Sequence, residues 1–203
     1  MPKNTIAAVC TIVLLILLLP SYALAKSDAS PDSSHKWFSS FGFTTGYGSA
    51  SLDKKDDDYE VVPLVFQFNL NINPLAEKLR IKSDKTGLEL IIEPFANFIA
   101  RPSANAEVGC SFPFRYSVKL ASWVAPYVEV GLGFIYTTQH VHEQGSQFNF
   151  TTQLGIGTKF FLSDHYALTA GYRFRHMSNA GSDSPNRGVD FHFGVIGLSY
   201  IFK

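Results

Sequence analysis

The chain has 203 residues, and its 17 Lys and Arg balance 17 Asp and Glu, so the formal net charge is zero. That balance excludes the basic footprint of a nucleic-acid-binding protein. It contains 18 Phe, 9 Tyr and 15 Gly, and no segment after the amino terminus has the run of about 20 apolar residues that a membrane helix needs.

The amino terminus reads as a secretory signal. Lys3 supplies the positive start, Ile6 to Leu19 an apolar run, and Ala23-Leu24-Ala25 a small-residue cleavage site. The mature chain is expected to begin at Lys26, so residues 1–25 are assigned to the signal peptide, 26–36 to a flexible periplasmic lead-in and 37–203 to the folded domain. Cys10 sits too early for a lipidated cysteine at the cleavage site. Removal of the signal leaves Cys110 as the only thiol, read as a small apolar side chain on a strand.

From Phe41 the chain alternates, one face apolar and the other polar or small, which is the period of an extended strand. Phe41, Phe43, Thr45 and Tyr47 share the first apolar face; Val62, Leu64, Phe66, Phe68 and Leu70 the second; Leu88, Leu90, Ile92, Pro94, Ala96 and Phe98 the third. The fourth carries Val108, Cys110, Phe112, Phe114 and Tyr116, and the fifth Val124, Val128, Val130, Leu132, Phe134 and Tyr136. Phe148, Phe150, Leu154, Ile156 and Phe160 make the sixth. The seventh holds Tyr166, Leu168, Ala170, Tyr172, Phe174, His176 and Ser178, and the eighth Asp190, Ile196, Leu198, Tyr200 and Phe202. Eight alternating segments in an exported chain predict an all-β fold, an eight-stranded antiparallel transmembrane β-barrel of the bacterial outer membrane.

The connections support this. Lys119 to Ala121 and Leu162 to Asp164 are short enough for periplasmic turns, while Ser51 to Asp58, Ile99 to Ala104, Gln139 to Gly145 and Asn179 to Gly188 fall at the external end. The long link Asn71 to Lys85 is the exception, and Pro74-Leu-Ala-Glu-Lys-Leu-Arg within it is a short amphipathic helix candidate. Inward parity takes Glu89, Glu93, Glu107 and Glu129 together with Arg115, Lys159, Arg173 and Arg175. Eight strands leave room only for side chains, so these charges predict a polar plug rather than a channel. Function then belongs to the outer wall and loops.

On the seventh strand His176 and Ser178 continue the lipid-facing side, while Arg173, Arg175 and Met177 point inward. The two are roughly 6.6 Å apart along the strand, within reach of an imidazole-to-hydroxyl contact. Asp190 follows a loop rich in Asn, Gly, Ser and Pro, and a tight return sets it beside His176 on the next strand. Serine, histidine and carboxylate are the components of an acyl-transfer site. His192 shares the parity of Asp190 and is an alternative base. His140 and His142, and the acidic run Asp53 and Asp56 to Asp58, read as solvated loop residues, with no metal and no cofactor expected.

The run His176-Met-Ser178-Asn179-Ala180-Gly181, followed by Pro185-Asn186, Gly188-Val189-Asp190, resembles the active-site segment of the lipid A 3-O-deacylase family, commonly called PagL. The resemblance implies Ser178 as nucleophile, His176 as general base and Asp190 as the acid that orients the imidazole. It makes Asn186, with the Gly181 amide, a candidate for stabilising the oxyanion, and Asn179 a further matching position. The family pattern has glutamate where this chain has Asp190. The expected partner is lipid A or lipopolysaccharide of the outer leaflet, met by a membrane-embedded monomer or homodimer, and the expected reaction is hydrolysis of the 3-O-linked hydroxyacyl ester. Two rivals differ in class: a non-catalytic small barrel serving adhesion or membrane integrity, and a lipid A acyltransferase.

Overall fold

The computed structural model describes residues 37–52, 58–78 and 85–202. The signal peptide and lead-in assigned to 1–36 lie outside them, as do Asp53, Asp56 and Asp57 and the terminal Lys203. Among the described residues nine strands follow in chain order: β1 Phe38–Ser51, β2 Asp58–Val62, β3 Leu64–Asn71, β4 Thr86–Arg101, β5 Asn105–Val118, β6 Val124–Thr137, β7 Phe148–Phe161, β8 Tyr166–Ser178 and β9 Val189–Ile201. A short helix, α1 Asn73–Lys78, occupies the long link predicted to contain one.

β2 and β3 are two pieces of one stave. Both pair antiparallel with β1, through Gly48↔Val61 and Thr45↔Leu64, and both pair with β4, through Val61↔Ile99 and Val65↔Phe95. Pro63 stands between them; it has no N–H to give to a ladder, so the strand is interrupted there without losing its place. Each later strand pairs with the next, and β1 returns to β9 through Phe41↔Tyr200, Thr45↔Ile196 and Ser49↔His192. The result is a closed eight-stranded antiparallel barrel with no free edge.

The predicted parities hold around the wall. Val128, Val130, Leu132, Leu154, Ile156 and Ile196 are each more than half exposed on the outside, where lipid covers them. Inside, all eight predicted charges find partners: Arg115 bonds Glu129 at 2.8 Å, Lys159 bonds Glu89 at 3.2 Å, and Arg173 bridges Glu93 at 2.9 Å and Glu129 at 2.6 Å. Arg175 grips Glu107 with both terminal nitrogens, at 3.0 and 3.1 Å. A charge removed from water needs such pairing, since an unpaired one in this space is costly.

The interior differs from the predicted plug in one respect, because charge fills only part of its height. Toward the end that carries the 179–188 loop it is apolar, with Tyr59, Val61, Ile99, Ile135, Met177 and Phe191 fully buried together. Phe191, Phe193 and Val195 hold the inward positions of β9 while Asp190, His192 and Gly194 between them face outward, so here the apolar residues line the lumen. The two zones meet at Tyr59, whose hydroxyl donates to Glu107 at 3.0 Å while its ring stands edge-on to Phe191, and at Arg175, whose guanidinium lies 4.2 Å from the centre of that same ring.

Candidate active site

The end of β8 and the start of β9 pair residue against residue, His176 directly opposite Asp190. Directly opposed positions on one face bring the side chains together, and here His176 Nδ1 lies 2.6 Å from Asp190 Oδ1. An ionised carboxylate only accepts, so Nδ1 carries the proton and Nε2 is left with the lone pair. Ser178 lies two residues further along the same outward face, paired with Phe150 across the β7 edge, where Thr152 faces His176. The His176 side chain is 39% exposed and that of Asp190 59%, both on the outer wall. Among the described residues Ser178 has no hydrogen bond to the imidazole.

The loop between these strands is held by its own side chains. Asn179, fully buried, accepts the Gly181 N–H on Oδ1 at 2.9 Å and donates from Nδ2 to the carbonyls of Asp183 and Pro185 at 2.9 and 3.2 Å. Ala180 and Gly181 both have positive φ, 54° and 79°, and the Ser182 N–H returns to the Asn179 carbonyl at 3.0 Å. Two successive positive φ values closed by that bond make a type I′ turn. Asn186 is brought back to the strand end, where its Oδ1 accepts the Asn179 N–H at 3.0 Å. That bond turns its Nδ2 away from Asn179 and leaves it a free donor among the described hydrogen bonds.

Gly188 has φ +78°, and a Cβ built on it would lie 2.5 Å from His176 Cε1. The position therefore needs glycine twice, for its backbone and for the imidazole that fills the place of a side chain. His192, the alternative base, is one pair further down the wall, opposite Phe174, and its Nδ1 is 2.5 Å from the Tyr172 hydroxyl. It is engaged away from Ser178. His140 and His142 lie in the 138–147 connection, and no group of three or more His, Cys, Asp or Glu able to hold a metal occurs among the described residues.

A family profile described as lipid A 3-O-deacylase (PagL) matches residues 22–199. The chain belongs to the lipid A 3-O-deacylase (PagL) family. Membership makes it a lipid A deacylase, a hydrolase acting on a membrane lipid, and the barrel is of the outer-membrane type. Among solved structures, the outer-membrane enzyme PagL superposes with a TM-score of 0.60 at 17% identity, over 77% of this chain and 97% of that one. Neisserial surface protein A superposes with a TM-score of 0.57 at 13% identity, over 80% and 96%. No individual curated protein matches alongside the family. The two structures score almost alike, so the barrel itself does not discriminate an enzyme from a surface protein; the discrimination comes from the family match.

Sequence reasoning reads Gly188 only as a motif position and Phe148 and Phe150 only as wall residues; it does not find that Gly188 packs on His176 or that the two rings, 5.5 Å apart edge to face, flank Ser178 on the outer wall. The signal for Gly188 is a glycine two residues before the acid, which acquires meaning only once its φ is known.

Proposed function

We propose that the chain hydrolyses the ester-linked 3-hydroxyacyl group at position 3 of lipid A, with Ser178 as nucleophile, His176 as general base and Asp190 as the acid that orients it. The observation that carries this reading is the 2.6 Å bond between His176 Nδ1 and Asp190 Oδ1 on the lipid-facing wall, two residues from a serine. With the barrel end that carries the 138–147 and 179–188 connections outside the cell, this pair sits at the depth of the outer leaflet, where lipid A resides.

In this reading the substrate glides along the wall until its ester carbonyl reaches Ser178, its acyl chain lying against Phe150 and the apolar bands below. The hydroxyl attacks the carbonyl carbon as Nε2 takes its proton, and the imidazolium is stabilised by Asp190. Asn186 Nδ2, without a partner among the described hydrogen bonds, is the donor assigned to the oxyanion. The Gly181 N–H, already bonded to Asn179 Oδ1, serves only by exchanging that partner, and Asn179 acts as organiser of the loop. Collapse expels the sugar hydroxyl, protonated by the imidazolium. Water, activated by the same nitrogen, then cleaves the acyl-enzyme and releases the hydroxy fatty acid.

Asp190 in place of glutamate is compatible with this arrangement, since the opposed register already delivers the shorter carboxylate to Nδ1. Mass spectrometry of lipid A from a host that carries a 3-O-linked chain tests the proposal. Cells making the intact protein are expected to show lipid A lighter by one hydroxyacyl group, and Ser178→Ala to restore the full mass while the barrel still assembles. Unaltered lipid A beside a correctly folded wild-type barrel would overturn it.

A further inference from the structure

We infer that the β6–β7 connection, residues 138–147, sets the geometry of the catalytic loop, with Gln144 and Gly145 as positioning residues. The inference rests on the reading of Ser178 and Asn186 given above. It starts from an anomaly: a ten-residue connection at the rim of a barrel buries polar side chains, Glu143 at 5% exposure and Gln144 at 8%. Rim loops are ordinarily solvated, so something specific holds this one down.

Its contacts are to the two halves of the site. The Gly145 N–H donates to the Pro185 carbonyl at 2.7 Å, and the Arg187 N–H donates to the Glu143 carbonyl at 2.9 Å. Gln144 and Asn186 form an antiparallel bridge between these bonds. Asn186 is thus fixed on both sides by backbone bonds to this connection. The Gln144 side chain meanwhile reaches the Met177 carbonyl from Nε2 at 3.4 Å, and that carbonyl belongs to the peptide leading into Ser178. One segment therefore contacts the strand that carries the nucleophile and the turn that carries the oxyanion donor.

Gly145 is where the approach is closest. A Cβ there would lie 2.5 Å from the Ser184 carbonyl oxygen, 2.6 Å from its carbon and 3.1 Å from Pro185 N. All three are backbone atoms, which cannot swing aside as a side chain can. Any other residue must push the catalytic loop outward, and the displaced part begins at Ser184, two residues before Asn186. A displacement of about 1 Å in such a site costs on the order of 100-fold in rate.

The test uses the full-length barrel refolded in detergent, with lipid A as substrate and heat-modifiable mobility as the check on folding. Gly145→Val is expected to lower kcat on the order of 100-fold with KM changed by less than about threefold, since the substrate's acyl contacts on the wall are untouched. Gln144→Met, which keeps the volume and removes the donor, is expected to lower kcat about three- to tenfold. If the connection acts through Asn186, Gly145→Val combined with Asn186→Ala is no slower than the slower single variant, because residues acting as one unit do not add. Should Gly145→Val fail to fold, Gly145→Ala, which places the same Cβ against Ser184, carries the same cycle. Wild-type kcat in the loop variants, or fully additive losses, would overturn the inference. Ser178→Ala run alongside separates the two claims: an active Ser178→Ala fails the catalytic reading, and an inactive one beside unaffected loop variants fails the positioning role alone.

Discussion

β8 carries two sets of polar residues on opposite faces, and they are built by opposite rules. Inside, Arg173 and Arg175 are under 10% exposed and each makes at least two bonds to carboxylates on other strands. Outside, His176 has one carboxylate partner and is 39% exposed. Several bonds to carboxylates suit a group whose task is to remain charged in a confined lumen. The outward set leaves His176 Nε2 and the Ser178 hydroxyl without a partner among the described hydrogen bonds, the freedom that the proposed base and nucleophile need. In the proposed reading, adjacent residues of one strand are thus divided between holding the barrel and acting on its surroundings.

The comparison breaks first at Ser178. Ser178→Ala is expected to lower deacylation by about 10⁴-fold or more without altering unfolding temperature, because it removes the proposed nucleophile from an outward position that carries no barrel contact of its own. Turnover on purified lipid A, with thermal unfolding measured on the same sample, checks both halves. Next, Asp190→Ala is expected to cost about 10³- to 10⁴-fold by freeing the imidazole to take the wrong tautomer, whereas Asp190→Glu retains activity to within about tenfold. Full activity of the alanine variant in that assay would reassign the acid.

On the inward face, Arg173→Ala leaves Glu93 and Glu129 short of a partner and is expected to destabilise the barrel by about 3–5 kcal/mol. Arg101→Ala, whose guanidinium is 64% exposed beside Glu60, is expected to cost no more than about 1 kcal/mol. Equal denaturant midpoints for the two would show that the lumen charges do not carry stability. The smallest effect sharpens the contrast at its border: Gly188→Ala, strained at φ +78° and pressed on the imidazole, is expected to lose about 1–2 kcal/mol. Its turnover should fall about tenfold through displacement of His176. Normal turnover in that variant would mean that His176 has room the packing denies it.

Much of this was readable in the chain. A side-chain period of two is imposed by strand geometry, so alternation alone placed His176 and Ser178 outward and the eight paired charges inward. It also counted the staves, since the Pro63 interruption leaves the register unbroken. What alternation does not contain is which inward charge meets which, because Arg173 and Glu93 are 80 residues apart and meet only when the barrel closes. Nor does it contain the apolar upper lumen, where Phe191 and Phe193 meet Tyr59, Ile99, Ile135 and Met177 from other strands only once the barrel is closed. At the site, the residue types and the family resemblance were legible, but the opposition of His176 to Asp190 depends on a register that the loop length permits without dictating. The roles of Gly188, Gln144 and Gly145 were invisible, because each depends on what backbone or ring lies against it. Periodicity is a property of the local chain and survives in the sequence; proximity across a closed barrel belongs only to the fold.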